Sequence, residues 1–203
     1  MNLLQDLTIG TFVSRLIAML MFSGVLGGLL AVVACLLGDR RPEYTGRLTA
    51  NPFAHVAVPG ALLAAIFGMG WIRTMRFDPA QNRWGKAGVL FVALAGLALT
   101  LATVPLVDVM RRIAVDVLPP TGAYAVVSTL IQYQQVTVAS AVLNLLPLPG
   151  LVCGAIWPAF RPDREKRILR QEPILLGILA AAIVAGFVAN PAAKLLPYFS
   201  GLA

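Results

Sequence analysis

Few side chains in this sequence could bind a metal or carry out catalysis. The chain has one histidine, His55, and two cysteines, Cys35 and Cys153. Imidazole and thiolate groups are zinc ligands by type, but these three residues are scattered and lack the C-x-x-C spacing of a zinc site. The pattern favours a hydrogen-bonded loop histidine and two cysteines that pack as small apolar residues.

Other catalytic arrangements are also missing from the sequence. It contains no second histidine, no glycine-rich phosphate loop and no pair of carboxylates within an apolar segment. Acid–base catalysis and nucleotide hydrolysis depend on such groups. We therefore predict no catalytic residue, no bound metal and no cofactor.

The composition is typical of a protein embedded in a bilayer. Of the 203 residues, 59% are hydrophobic and 12% are charged, whereas about 25% of residues in soluble domains are charged. The apolar residues form blocks near the length of about 20 residues that crosses a bilayer as a helix. We predict an all-α polytopic membrane protein that forms a single domain over residues 1–203.

The fold should contain four to five transmembrane helices. The apolar blocks run from about 11 to 37, 56 to 72, 86 to 108, 123 to 147 and 173 to 190. The second block is short and has Pro59-Gly60 near its start, so it either spans the membrane or enters and returns on the same side. The fourth block ends in a proline-rich stretch that should break the helix inside the membrane.

Charge favours the re-entrant alternative for the second block. If that block returns, the loops on one side carry twelve of the sixteen Lys and Arg residues, and if it spans, the better split is ten against six. Basic loops are typically cytoplasmic. We expect these loops in the cytoplasm, the N-terminus outside, and a net charge of +7 that reflects topology. Nucleic acid is not a predicted partner.

Glycines in the first block indicate a helix-packing face. Gly24 and Gly28 form a G-x-x-x-G pattern, which lets the backbone of a neighbouring helix come close in a bilayer. The pattern is also common by chance in glycine-rich membrane helices. The pattern is therefore either a packing face for a neighbouring helix or a chance occurrence.

The loop after the first block carries a specific motif. It contains Gly38-Asp39, then the run from 46 to 52, GRLTANP, and then His55 and Pro59-Gly60. This resembles the loop GD…GRLTLNPxxHxDPxG of the membrane-embedded site-2 zinc protease family, with Val58 in place of the family's aspartate. The resemblance implies structural roles in this loop for Arg47, Asn51, Pro52 and His55.

Two further stretches strengthen the resemblance. The run from 70 to 77, GWIRTMRF, resembles the family's GWAKPVPVN, and the run from 143 to 149, LNLLPLP, resembles its FNLLPLPPLDG. In the family, the second stretch helps to bind the backbone of a substrate helix near the metal. The resemblance therefore implies a helix-binding cleft at Asn144, Pro147 and Pro149.

The residues that would bind zinc in that family are replaced here. The family's HExxH helix aligns with Leu26-Gly27-Gly28-Leu29-Leu30, and its LDG aspartate aligns with Val152. The two histidine ligands become Leu26 and Leu30, the general base becomes Gly27, and the third ligand becomes Val152. A zinc protease needs three such ligands and a base. The resemblance thus indicates a degenerate, non-catalytic member, and we predict that the chain is not an enzyme.

These observations predict an accessory, assembly or stabilising subunit that packs against helices of a larger membrane complex. Its partners would be other integral membrane subunits and membrane lipids. The short loops and the family resemblance indicate a multi-pass protein of the bacterial inner membrane. The alternative is a lipid-binding, quinone-binding or transport component that uses the cleft; an active intramembrane metalloprotease is the third hypothesis.

Overall fold

The structure is a computed structural model that describes residues 8–199. Within these residues the regular secondary structure is helical, apart from one isolated antiparallel bridge between Val56 and Ile72, and turns and extended segments connect the helices. The α-helices are α1 Ile9–Leu36, α2 Arg41–Tyr44, α3 Pro52–His55, α4 Val58–Phe67, α5 Gly85–Leu101, α6 Thr103–Val117, α7 Pro120–Asn144, α8 Trp157–Phe160, α9 Glu165–Val184 and α10 Ala192–Phe199.

Three of the described helical stretches are long and apolar enough to cross a membrane: α1, the nearly continuous pair α5 and α6 over Gly85–Val117, and α7. The prediction of an all-helical membrane protein therefore agrees with the structure at this level. The predicted outside location of the N-terminus concerns residues 1–7, which lie outside the described residues.

Helix α1 is the centre of the bundle. The Thr8 hydroxyl accepts a hydrogen bond from the Thr11 amide and so caps its start. The helix packs against α3, α4, α5 and α7. Its buried side chains, among them Met19, Phe22 and Leu26, join residues of α5 and α7 in the main apolar cluster. These four helices therefore pack around α1.

The second apolar block turns back on itself. Helix α4 has 10 residues, which at the helical rise is about 15 Å, or half of a hydrocarbon core. It ends at Gly68, whose φ of 73° lies in the left-handed region. The chain then returns in extended form, and Val56 pairs with Ile72. The two ends of the block therefore lie side by side.

Helix α4 and its extended return form a hairpin over residues 56–74. Polar side chains hold the turn of this hairpin. The Arg15 guanidinium donates to the Ile66 carbonyl at 2.9 Å, and the Asn190 amide donates to the Phe67 carbonyl at 3.1 Å. These carbonyls lie at the C-terminal end of α4, where a positive charge is also favourable for the helix dipole. This contact explains a basic residue within an apolar helix.

The third block is longer than predicted. We expected a helix from 86 to 108, whereas α5 and α6 together run to Val117 with a discontinuity at Ala102. Pro105 lacks the amide proton that would bond to Leu101, so the ladder is interrupted there. Helix α6 continues past 108, and the buried Asp108 in it is paired with Arg111 at 3.1 Å and accepts a hydrogen bond from Gln134 of α7 at 2.9 Å.

The C-terminal half also corrects the predicted boundaries. Helix α7 ends at Asn144, so Pro147 and Pro149 follow the helix and do not break it. Helix α9 begins at Glu165 and ends at Val184, not at 190, because Gly186 adopts a left-handed φ of 80°. Its first two turns are charged, so it is not among the three candidate spans. Four to five spans are therefore not confirmed.

Close backbone contacts in the hairpin generate a first prediction. A Cβ on Gly70 would overlap the Gly60 carbonyl oxygen, so Gly70→Ala should lower the free energy of unfolding by about 1–3 kcal/mol. A Cβ on Gly177 of α9 meets no atom within 4 Å, so Gly177→Ala should be neutral or stabilise by up to about 1 kcal/mol. Thermal unfolding in mild detergent measures both. Equal transition temperatures for the two variants would contradict the hairpin packing.

Candidate functional site

The four positions that the resemblance assigns to zinc chemistry lie in the apolar interior. Leu26, Gly27 and Leu30 are buried on α1, and Val152 is buried in the loop that follows α7. Leu26, Leu30 and Val152 belong to one buried apolar cluster. The fold brings these positions into one region, yet their side chains offer no nitrogen, oxygen or sulfur atom to a metal.

His55 occupies the space beside Gly27. A Cβ on Gly27 would overlap the imidazole ring of His55, so the ring packs directly on the α1 backbone. The Nε2 atom lies 2.9 Å from the Thr49 carbonyl, which can only accept, so Nε2 carries the proton. Nδ1 is then an acceptor, and it is buried without a hydrogen-bond partner. An imidazole therefore lies where the resemblance expects a carboxylate.

The environment of His55 favours the neutral ring. Burial lowers the pKa of His55 below its ordinary value of 6.5, the hydrogen bond to Thr49 opposes this shift, and the charge of Arg47 adds to it. The imidazole is therefore uncharged at neutral pH.

Zinc does not fit the residues around this imidazole. Within residues 8–199, no three His, Cys, Asp or Glu side chains come together as a ligand group. Burial raises the pKa of the Cys153 thiol, which opposes the thiolate form that zinc needs. Cys35 lies on α1 and Cys153 in the loop after α7, and neither forms a disulfide. The described residues around His55 therefore offer no ligand set for zinc.

The predicted loop residues bind the chain to itself. The Asn51 side chain accepts from the Phe53 amide at 3.0 Å, and Pro52 is the first residue of α3. The Arg47 guanidinium donates to the Thr74 carbonyl at 2.8 Å. Together with the His55 contact, these bonds fix the loop against α1 and the hairpin. Arg47, Asn51 and His55 each bond to a backbone group of their own chain, as residues with a structural role do.

The glycine pair of α1 faces this loop. A Cβ on Gly24 would come within 2.5 Å of the Ala50 carbonyl oxygen, and one on Gly28 within 3.2 Å of the Thr49 carbonyl oxygen. The close approach that these glycines permit is therefore to the backbone of the same chain. An additional contact with a helix of another subunit stays a prediction.

Asn144 is separated from the two prolines of the predicted cleft. Its side chain is fully buried and donates to the carbonyls of Gly70 at 3.3 Å and Ser140 at 2.7 Å. Its amide oxygen accepts from the Val152 amide at 3.4 Å. Asn144 therefore joins α7 to the hairpin and to the following loop, and these bonds leave it turned inward.

Pro147 and Pro149 line an open cavity of about 470 Å³. The opposite wall contains Trp157, Ile168 and Gln171, and its basic residues are Arg161, Arg164 and Arg167. The Trp157 indole donates to the Pro147 carbonyl at 2.8 Å and holds the turn in place. A cleft thus exists at the two prolines.

The roles of Trp157 and Asp39 in the structure were not predicted from the sequence. Trp157 follows the proline pair by only a few residues, and an exposed tryptophan is a common anchor for a binding partner. Asp39 is fully buried, and its Oδ2 accepts from the Asp78 amide at 2.7 Å. The Gly38-Asp39 motif was visible, but its role in holding a loop 39 residues away depends on the fold.

The chain is similar to a protein of Bacillus subtilis (strain 168) named "Putative zinc metalloprotease YwhC". The two sequences are 35% identical over 131 residues, which cover 60% of this chain and 57% of the relative. This chain therefore spans little more than half of the relative's length. No family model and no solved structure matches the sequence. The similarity supports a relation to metalloprotease-like proteins.

This finding overturns one prediction. We predicted from the sequence that the chain is not an enzyme, and that prediction is wrong, because the relative's name points to a protease. The absence of donors at Leu26, Gly27, Leu30 and Val152 does not by itself exclude every enzymatic activity of the chain.

The neutral state of His55 predicts a pH dependence. Because the folded pKa is lowered, stability is complete above the unfolded value of about 6.5 and is lost as the pH falls through the folded pKa. We expect the free energy of unfolding to fall as the pH drops below about 6.5, by at most about 1.4 kcal/mol per pH unit, and the unfolding temperature to fall with it.

His55→Gln is the matched control, since the chain has a single histidine. It should remove the pH dependence in this range whatever its effect on stability at neutral pH. A variant that keeps the same slope as the native protein would show that other groups cause it.

Proposed function

We propose that this protein binds a segment of another integral membrane protein at the cleft of Pro147, Pro149 and Trp157. In this role it would act as an accessory, assembly or stabilising subunit of a membrane complex. The observation that carries the proposal is the open cavity of about 470 Å³ at the two prolines. Binding of a partner segment is a step that a protease and a stabilising subunit share.

Exposed apolar side chains lie at or near the lining residues of this cleft in the sequence. Leu145, Leu146, Trp157 and Phe160 are each between 39% and 47% exposed. A large aromatic side chain beside a pocket and a patch of apolar surface are typical of a protein interface. The adjacent arginines favour a partner segment that carries acidic residues where it leaves the bilayer.

A photo-crosslinking residue at Leu146 should capture a specific membrane protein in cells. The same residue at Leu106, which is 62% exposed on α6, is the matched control and should not capture that protein. Trp157→Ala should reduce capture at Leu146 by about tenfold, the effect of losing an aromatic anchor. Equal capture from both positions, or capture unaffected by Trp157→Ala, would contradict the cleft as the binding site.

A second function, zinc-dependent peptide hydrolysis, is favoured by the name of the relative. Metal analysis of the purified protein and a cleavage assay on the captured partner separate the two functions. Stoichiometric zinc with cleavage would establish hydrolysis and would require ligands other than Leu26, Leu30 and Val152. Capture of an intact partner by metal-free protein would support the binding role.

We also propose that the protein lies in the bacterial inner membrane as a multi-pass protein with its basic loops in the cytoplasm. Arg41, Arg47, Arg73, Arg76 and Glu172 line one cavity, so the loop after α1, the extended return after α4 and the first half of α9 lie at the same end of the bundle. The positive-inside rule places that end in the cytoplasm. In this topology α4 is re-entrant, and α9 adds a fourth span.

Labelling of a single cysteine at position 83 tests this topology. In a variant that lacks Cys35 and Cys153, Arg83→Cys should resist a membrane-impermeant thiol reagent added to intact cells, and it should react in inverted vesicles. Reaction in intact cells would reverse the orientation.

A further inference from the structure

A basic cavity lies apart from the proline cleft. It has a volume of about 550 Å³ and its charged lining residues are Arg41, Arg47, Arg73, Arg76 and Glu172. Four guanidinium groups therefore meet one carboxylate. The cavity lies just beyond the end of α1 at Leu36, which is the depth of lipid headgroups if α1 crosses the bilayer.

The positive charge of this cavity is only partly balanced. Within the described residues, Arg41 pairs with Asp39 at 3.4 Å, while Arg73 and Arg76 pair with no carboxylate. Arg47 is half-buried and donates to a backbone carbonyl, not to an acid. Burial and the charges of Arg73 and Arg76 lower the pKa of Arg47, so these three cations lie close enough to repel one another.

The hydrogen bonds within the cavity leave a donor that an anion could use. The Nη2 atom of Arg41 is buried and has no hydrogen-bond partner within the described residues. Glu172, the one carboxylate of the lining, already accepts from the Thr74 hydroxyl at 2.8 Å. Guanidinium groups match phosphate oxygens in geometry and charge. A phosphate group would supply the missing acceptors.

An apolar groove continues from the cavity. It has a volume of about 340 Å³ and runs between the hairpin and α9, lined by Pro59, Trp71, Leu176 and Ala180. The groove and the basic cavity share Arg73, Thr74 and Glu172. One molecule with a phosphate at one end and a hydrocarbon chain at the other fits this pair of sites.

We propose that the basic cavity and its groove bind an anionic phospholipid, with the phosphate between Arg47, Arg73 and Arg76 and an acyl chain along Trp71 and Leu176. The bound lipid would join the loop after α1, the hairpin and α9. Basic pockets at the membrane surface are the kind of site that holds anionic headgroups. This site is independent of partner binding at the proline cleft.

The test uses the full-length protein in nanodiscs of phosphatidylcholine with or without phosphatidylglycerol. Phosphatidylglycerol should raise the unfolding temperature, and native mass spectrometry should show the lipid retained. Arg73→Gln with Arg76→Gln should weaken retention about tenfold. The matched control is Arg83→Gln with Arg170→Gln, which makes the same change in net charge at exposed arginines outside the cavity, and it should retain the lipid.

Two further arms separate the headgroup from the chain. Inorganic phosphate should not reproduce the stabilisation by phosphatidylglycerol. Gly177→Phe places a ring in the open space of the groove and should weaken retention of long-chain lipid more than of a short-chain analogue. Equal loss in both arginine pairs, equal stabilisation by inorganic phosphate, or no preference for phosphatidylglycerol would each overturn the proposal.

Discussion

The structure depends on satisfying the backbone of a non-helical segment inside an apolar bundle. Residues 66–78 include the last turn of α4 and an extended return, and their polar groups have few helical partners. Unpaired backbone groups in such surroundings are costly. Side chains from elsewhere therefore supply the bonds, and they come from Arg15, Asp39, Arg47, Ser140, Asn144 and Asn190.

This requirement explains residues that could be mistaken for a site. Asn144 and Ser140 bond to the carbonyl and the amide of Gly70, and Arg15 bonds to the end of α4. Each is a polar residue on a long apolar helix, which often indicates a ligand or an ion path. Here each has a backbone partner in the hairpin. The polar residues of the interior thus define the hairpin's position.

The packing of the interior also bears on whether the chain could bind zinc. Leu26, Leu30 and Val152 share one cluster, and His55 fills the space beside Gly27. At Leu26, Leu30 and Val152 the interior of the described chain holds apolar contacts and no donor atoms. The relative, whose name is that of a putative zinc metalloprotease, is similar to this chain in sequence over 57% of its length.

The sequence by itself determined the membrane class, the approximate positions of the long helices and the absence of donors at four positions, because composition and apolar block length are local properties. It did not determine the path of the second block, the discontinuity at Ala102, the inward turn of Asn144 or the meeting of Arg47, Arg73 and Arg76. These features depend on contacts between residues far apart in the chain. Hydrogen bonds such as those of Gly70 to Ser140 and Asn144 become visible only when the helices are packed.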